Sequence, residues 1–383
     1  MDKKDNKKIP TTATNDDAAE RKDNRIRLSE EELAIIDNYR KSGTLPDESH
    51  VLSDVNKASF QTKHADLKRR YQQSLTELDA AQQQIGTLID LRSTSIKPFK
   101  IVPTKGVEDS ESTMVLVASD WHLEETIDPS TVNNLNEFNL QIAQRRANNF
   151  FKKGLLMYRL LGKNFNINQM VLALLGDFIN GYIHEEMMEE NSLSPTESIL
   201  LAKRLLISGI DFLLAECPEV KQLVVPCCIG NHGRTTQKMR ISSAHKNSYE
   251  WLLYKDLEMH YEKDSRVKFL VSNSYLNYVE CYKYLLRFHH GEAIRYSGGI
   301  GGLSIPTLKA IASWNKSIPA YLDVFGHFHQ SNESSSFISN GSLVGYNPYA
   351  TFIKAPYETP MQSMFVINQN YGRILSAPIF LED

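Results

Sequence analysis

Seven residues of this chain have side chains suited to holding metal ions, and each follows a short apolar run. The runs are Val115-Leu-Val-Ala-Ser before Asp120 and His122, Val171-Leu-Ala-Leu-Leu-Gly before Asp177, Leu223-Val-Val-Pro-Cys-Cys-Ile-Gly before Asn231, Tyr284-Leu-Leu-Arg-Phe-His before His290, and Tyr321-Leu-Asp-Val-Phe-Gly before His327 and His329. Imidazole suits zinc, iron and similar ions, whereas carboxylate and carbonyl oxygens suit manganese and magnesium. A mixed nitrogen and oxygen set without cysteine therefore points to a catalytic centre rather than a structural zinc site. Seven donors exceed what one tetrahedral ion takes, which is four ligands with one of them often solvent. Two divalent ions, about 3.5–4 Å apart in such centres, would use them all. Asp177 is the expected shared ligand, because Asp120 is the only other carboxylate in the set.

The elements that must position these residues are legible around them. A short apolar, partly β-branched run that stops at a polar residue reads as a buried strand delivering that residue to a sheet edge. Strand alternation turns His289, one residue before His290, to the opposite face, where it is structural. Between the strands, residues 136–161 and 195–216 show helical spacing of apolar residues. The second helix opens at Ser194-Pro195 with Glu197, good N-terminal chemistry. Strand and helix alternation argues for α/β layers. Past His329 the chain offers short strands and turns at 337–346, 364–367 and 373–375, expected to form antiparallel hairpins that complete a second sheet.

Asp-x-His, Gly-Asp, Gly-Asn-His, His-Gly and Gly-His-x-His, in this order and each after a hydrophobic strand, resemble the calcineurin-like metallophosphoesterase superfamily. The resemblance spans residues 115–329 and implies a two-sheet sandwich flanked by helices, with metals at the strand ends. Ala118-Ser-Asp-Trp-His-Leu-Glu, Ile183-His-Glu-Glu, Val324-Phe-Gly-His-Phe-His-Gln and Asn340-Gly-Ser-Leu-Val-Gly-Tyr are similar to bacteriophage-encoded members related to DNA repair exonucleases. A phage protein of that kind would act in the bacterial host cytoplasm.

The chemistry implied is phosphate-ester hydrolysis. A phosphodiester is anionic and resists attack, so its charge must be neutralised and a nucleophile drawn from water at neutral pH; two divalent ions, expected to be manganese with zinc, iron or magnesium as alternatives, supply both. His232, beside Asn231, matches the position the family uses to protonate the leaving oxygen, and is the expected general acid. Protein phosphatases of the superfamily carry Gly-Asp-x-x-Asp-Arg-Gly. Here the segment is Gly176-Asp-Phe-Ile-Asn180-Gly-Tyr, which argues against that activity. Repair nucleases often place a histidine where Asn180 stands, and His184 is the candidate substitute. Gly233 stands where many relatives carry Asp. Arg234, Lys238 and Arg240 form a local cationic stretch suited to phosphate contact, and the Gly-rich Ser297–Gly302 stretch permits close backbone approach. The expected substrate is DNA, with a cyclic or dinucleotide as the alternative. A scaffold with a vestigial metal site is the third reading, and the complete ligand set argues against it.

Composition bounds the remainder. With 383 residues, 41% hydrophobic content and a formal charge of −3, the chain suits a globular catalytic domain with an appendage and not a globally basic nucleic-acid binder. The cysteines Cys217, Cys227, Cys228 and Cys281 lack Cys-x-x-Cys spacing and read as reduced core thiols. No apolar stretch suits a bilayer, and the charged N-terminus lacks a signal-peptide core, so a cytoplasmic protein without membrane contact is expected. Residues 1–27 read as a disordered charged tail. Residues 28–92 read as a helical extension: a short helix from Leu28 to near Gly43, with Ser29 and Glu32 at capping-box spacing, then one amphipathic, coiled-coil-like helix over 56–91. That longer helix either packs on its own catalytic domain or forms a homodimer. Residues 93–112 read as a linker and 113–383 as the catalytic domain.

Overall fold

A computed structural model of the chain describes residues 30–41, 69, 72, 73, 98–102, 111–295 and 302–383. The chain divides into two units, Met1–Ile96 and Lys97–Asp383. In the first unit the expected short helix is present as α1, Glu30–Lys41. The charged tail, nearly all of the helix expected over 56–91 and most of the Ser297–Gly302 stretch lie outside the described residues.

The second unit holds two six-stranded sheets. One contains β2 (Glu111–Ala118), β3 (Asn166–Leu174), β4 (Gln222–Cys227) and β5 (Val267–Val271), all parallel, with β11 (Met361–Asn368) antiparallel to β2 and β12 (Gly372–Phe380) antiparallel to β11. The other runs β1 (Phe99–Ile101), β6 (Asn277–Cys281), β7 (Tyr284–Phe288), β8 (Leu322–Phe325), β10 (Phe337–Ser339) and β9 (Asn332–Glu333), mixed in direction. All five apolar runs that precede the candidate ligands are strands: β2, β3, β4, β7 and β8.

Side-chain alternation explains why these runs are apolar throughout. On β2, Val115 and Val117 point into the layer between the sheets, with Val171, Val224, Leu286, Val324 and Phe365. Met114, Leu116 and Ala118 point the other way, into a core covered by α2 (Leu140–Leu161), α4 (Pro195–Glu216) and α5 (Tyr249–His260). A strand buried on both faces loses the apolar–polar alternation of a half-exposed one. The far face of the second sheet is capped by α6 (Ser304–Trp314), with Ile311 packed near Phe325 and Phe337. At the expected N-terminus of α4 Ser194 forms a capping box, with Glu197 N–H held by the Ser194 side chain and the Glu197 carboxylate returning to Ser194 N–H.

Two expectations are corrected. The expected linker 93–112 contributes β1, paired in parallel with β6, and the first residues of β2. Of the strands expected to complete the second sheet, β10 does so, antiparallel to β9, whereas the β11–β12 hairpin extends the first, because Phe365 and Ile367 complete the layer between the sheets beside Val115. Among the described residues no helix is long and apolar enough to cross a membrane. All four cysteines are buried and free.

Candidate metal centre

All seven candidate ligands lie just beyond the C-terminal ends of their strands: Asp120 and His122 after β2, Asp177 after β3, Asn231 after β4, His290 after β7, His327 and His329 after β8. Five of them, Asp120, His122, Asp177, His327 and His329, have φ between 43° and 71°. Left-handed backbone is unusual outside glycine, and it costs free energy that the surrounding structure must offset. Clustering at these positions marks a site where chain direction is set by what the side chains must reach. The neighbouring glycines permit the crowding. A Cβ on Gly230 would stand 2.0 Å from Asp177 Oδ1, and one on Gly326 would stand 2.3 Å from Asp120 Oδ2.

The donors fall into overlapping groups within 4.8 Å. One joins Asp120, His122 and His329; another joins Asp177, His290 and His327; a third links His122, Asp177 and His232. Asn231 reaches the second group through Oδ1, 3.1 Å from His290 Nε2, while Asp177 Oδ2 is 2.9 Å from that same nitrogen. His329 Nε2 is 3.5 Å from Asp120 Oδ1 and 3.1 Å from His122 Nε2.

Hydrogen bonds behind the donors fix which nitrogen faces the centre. His290 Nδ1 donates to the Leu175 carbonyl at 2.7 Å, leaving Nε2 toward Asp177. For His122 the assignment runs through amides. The Gly181 carbonyl accepts from Asn191 Nδ2, Asn191 Oδ1 accepts from Asn180 Nδ2, and Asn180 Oδ1 therefore accepts from His122 Nδ1 at 3.1 Å. Nε2 of His122 is left with its lone pair facing His329. Such outer partners orient metal-ligating imidazoles.

Burial dominates the electrostatics. It holds the imidazoles of His327 and His329 down to about 3 and about 4, and that of His122 well below its ordinary value, with repulsion from neighbouring histidines adding to it. These rings are neutral and available as ligands. Burial also pushes Asp120 up to about 7, against the pull of His290 and with Asp177 adding. For Asp177, burial would raise the carboxyl, but His290 and His232 beside it hold it well below the carboxylate range. The reverse holds for His290, which burial would lower and Asp177 keeps well above its usual value. Two buried carboxylates, the neutral imidazoles of His122, His327 and His329, the His290 ring beside Asp177 and an amide oxygen, with His122 Nε2 and His329 Nε2 3.1 Å apart, form a donor set that fits two divalent cations.

His232 joins the centre without being one of the seven. Its backbone N–H donates to Asp177 Oδ1 at 2.8 Å, its Nδ1 donates to the Asn180 carbonyl at 2.9 Å, and its ring centroid is 4.6 Å from that of His122. The remaining candidates are placed differently. His184 is exposed at the start of the short helix α3, Glu185–Glu190, with no capping bond. Arg234 donates to the carbonyls of Asn231, Thr236 and Gln237, so its guanidinium ties its own loop together beside the centre. Lys238 and Arg240 are exposed, and Arg240 lines a small cleft with Asn231 and Glu292. His289 is fully buried, stacked on Phe325 at 5.1 Å and 3.6 Å from Asp323, as strand alternation implies.

Two positions support the candidate site from behind and were not read as doing so from sequence. Asn180 holds His122 with its side chain and His232 with its carbonyl. Glu250, on the first turn of α5, accepts from Phe178 N–H at 2.7 Å and Gly230 N–H at 2.6 Å, joining the loops of Asp177 and Asn231. Burial raises the Glu250 carboxyl to about 8, with Asp177 adding, while the two N–H donors act in the opposite sense. The helix start at Ser194-Pro195 was visible; Ser248 with a helix behind it was the weaker signal that could have drawn attention to Glu250.

No protein-family model matches the chain, and no curated protein matches it. Among solved structures the chain is similar to Vps29 from Cryptosporidium parvum, with 13% identity over 68% of this chain and 88% of that one and a TM-score of 0.28. It is also similar to a conserved uncharacterized protein, a predicted phosphoesterase, from Streptococcus pneumoniae TIGR4 (11% identity, 70% and 97% covered, TM-score 0.27). A third is the calcineurin-like phosphoesterase YfkN from Bacillus subtilis (10% identity, 71% and 92% covered, TM-score 0.26). Likeness at this level carries no argument about activity, which rests on the site.

Proposed function

We propose that this chain is a metal-dependent phosphoesterase that hydrolyses phosphodiester bonds, with DNA as its substrate and manganese as its metal. The observation that carries the reading is the convergence of seven donors from five strand ends into two groups, with Asp177 in reach of both His122 and His290. When bound, two divalent ions would neutralise the phosphate and make water nucleophilic at neutral pH. Asp120, His122 and His329 would hold one, and Asn231, His290 and His327 the other, with Asp177 shared.

The chain itself supplies orientation and a proton. The Leu175 carbonyl and the Asn180 amide each engage Nδ1, of His290 and His122 respectively, and so keep Nε2 of both rings toward the centre. His232 donates from Nδ1 to the Asn180 carbonyl, so Nε2 is the atom that would carry a proton to the leaving oxygen. Burial lowers the His232 imidazole, while Asp177 and the Asn180 carbonyl act in the opposite direction, as an anionic phosphate beside it would. Lys238 and Arg240 on the loop after His232 suit backbone phosphates.

The test is hydrolysis by purified protein, with and without manganese, of single- and double-stranded DNA, a nucleotide panel and bis(p-nitrophenyl) phosphate. Asp177→Ala and His232→Ala are expected to abolish or cripple turnover. DNA left intact while a nucleotide is consumed would move the substrate class, and a fully active Asp177→Ala would overturn the metal assignment.

A further inference from the structure

Both ends of the segment Asn347–Glu358 are fastened to loops that carry candidate ligands. At its start Asn347 Nδ2 donates to Glu125 Oε1 at 2.9 Å, three residues past His122. At its end the Pro356 carbonyl accepts from Gln330 Nε2 at 3.0 Å, and the Glu358 carboxylate accepts from Ser331 N–H at 2.9 and 3.0 Å, just past His329. The segment therefore lies along the His122 and His329 side of the centre.

What it presents there is aromatic and exposed. Helix α7, Pro348–Phe352, is capped by Asn347, whose Oδ1 accepts from Ala350 N–H. Tyr349 and Phe352, three residues apart and so on one face, are 67% and 83% exposed, and Ile353 follows at 50%. Tyr357 is 50% exposed, its ring 5.8 Å from that of Tyr346. Large side chains are thus held open on a segment whose two ends are bonded to loops that carry candidate ligands, and exposed apolar surface of this kind suits a binding role.

We propose that Tyr349 and Phe352 form a stacking platform for the bases of a single-stranded nucleic acid whose scissile phosphate sits in the metal centre. This rests on the phosphodiester reading above and narrows its substrate to strands with unpaired bases. Stacking on aromatic rings needs base faces that a duplex hides, and it is indifferent to sequence. Charge supports the same occupant: exposed Arg240 lines a cleft together with the candidate ligand Asn231, and exposed Lys238 lies two residues before it on the same loop, cations suited to a phosphate backbone.

The experiment compares binding of a fluorescent thymidine dodecamer and an abasic dodecamer of equal charge, with calcium in place of manganese to hold turnover back. The parent protein is expected to prefer the thymidine strand by about tenfold or more. In the double variant Tyr349→Ala, Phe352→Ala that ratio should fall towards one. Binding of the abasic strand by the variant reports that it is folded. A parent that binds both strands equally, or a variant that keeps the parent's ratio, would overturn the platform. So would a concentration-dependent dimer of the parent, seen by sedimentation velocity, that the variant lacks, since the face would then serve self-association. Hydrolysis of bis(p-nitrophenyl) phosphate by the manganese-loaded parent separates the two claims. Turnover with an unchanged strand ratio in the variant sinks only the platform, whereas no turnover of any phosphodiester sinks the catalytic reading and the platform's role with it.

Discussion

Replacing Asn180 with alanine tests the outer support of the metal centre, because it removes the acceptor for His122 Nδ1 together with the donor to Asn191 Oδ1. Asn180 is 3% exposed, and its Oδ1 is the acceptor that fixes His122 Nδ1 at 3.1 Å. The substitution leaves that N–H buried without a partner, at a cost of about 1–3 kcal/mol. It also lets the His122 ring turn or change tautomer, and loss of such an outer partner lowers metal affinity about 10–100-fold. The two figures agree, because that range in affinity is about 1.4–2.7 kcal/mol. The Asn180 carbonyl survives the substitution, so His232 keeps its acceptor and the proton-transfer step is spared. Calorimetric titration of the metal-free variant with manganese should therefore show one of two sites weakened by that factor and the other unchanged. Hydrolysis should drop at limiting manganese and recover at saturating manganese. Asn180→Asp, which retains an acceptor for His122, should bind more tightly than Asn180→Ala. Parent-like affinity at both sites in Asn180→Ala would refute the reasoning, as would an activity loss in a folded variant that no manganese concentration restores.

Other positions give independent expectations. Glu250→Ala orphans the N–H groups of Phe178 and Gly230 at about 1–3 kcal/mol each, and thermal unfolding together with manganese titration should show loss of both stability and affinity. Arg287 and Asp323 are a fully buried pair at 2.7 Å, so Arg287→Met should leave an uncompensated carboxylate and destabilise by about 3–5 kcal/mol in urea unfolding; an unchanged midpoint would contradict this. Glu125 is 6% exposed, and burial, opposed by the Asn347 donor and reinforced by Glu190 and Glu124, raises its carboxyl from 4.5 to about 7. The folded state binds this proton more tightly than the unfolded chain, so the stabilisation is complete below pH 4.5 and is lost as pH rises toward 7. Glu125→Gln should accordingly gain on the parent across that window, by up to about 3 kcal/mol, in unfolding measured at several pH values; a constant difference would count against the assignment.

Much of the frame was legible because two constraints coincide in the same residues. Each of the five apolar runs is long enough for a strand and ends in a ligand-type side chain, and strands buried on both faces must be apolar at consecutive positions, as Val115 to Val117 show. The helix start at Ser194-Pro195 is equally local and was equally readable. What escaped depends on distance along the chain. Glu250 meets Phe178 from 72 residues away, and nothing about a glutamate early in a helix announces a pair of backbone donors waiting for it. Asn180 looked like a departure from a pattern, but it serves both His122 and His232. Arg234 looked like a phosphate contact because it is cationic, yet its donors face carbonyls of its own loop. The left-handed backbone at five ligands was foreshadowed only by Gly176 and Gly326 beside two of them. Placement of the β11–β12 hairpin was set by the layer between the sheets, which no short window of sequence encodes.

The central claim is that Asp177 joins two groups of donors into one two-ion centre. Manganese bound per chain, measured by calorimetric titration of metal-free parent and Asp177→Ala proteins and confirmed by elemental analysis after desalting, tests it most directly. The account predicts two ions per parent chain, and at most one weakly held ion in Asp177→Ala. Two ions bound by Asp177→Ala with the parent's affinity, or none bound by the parent, would contradict it.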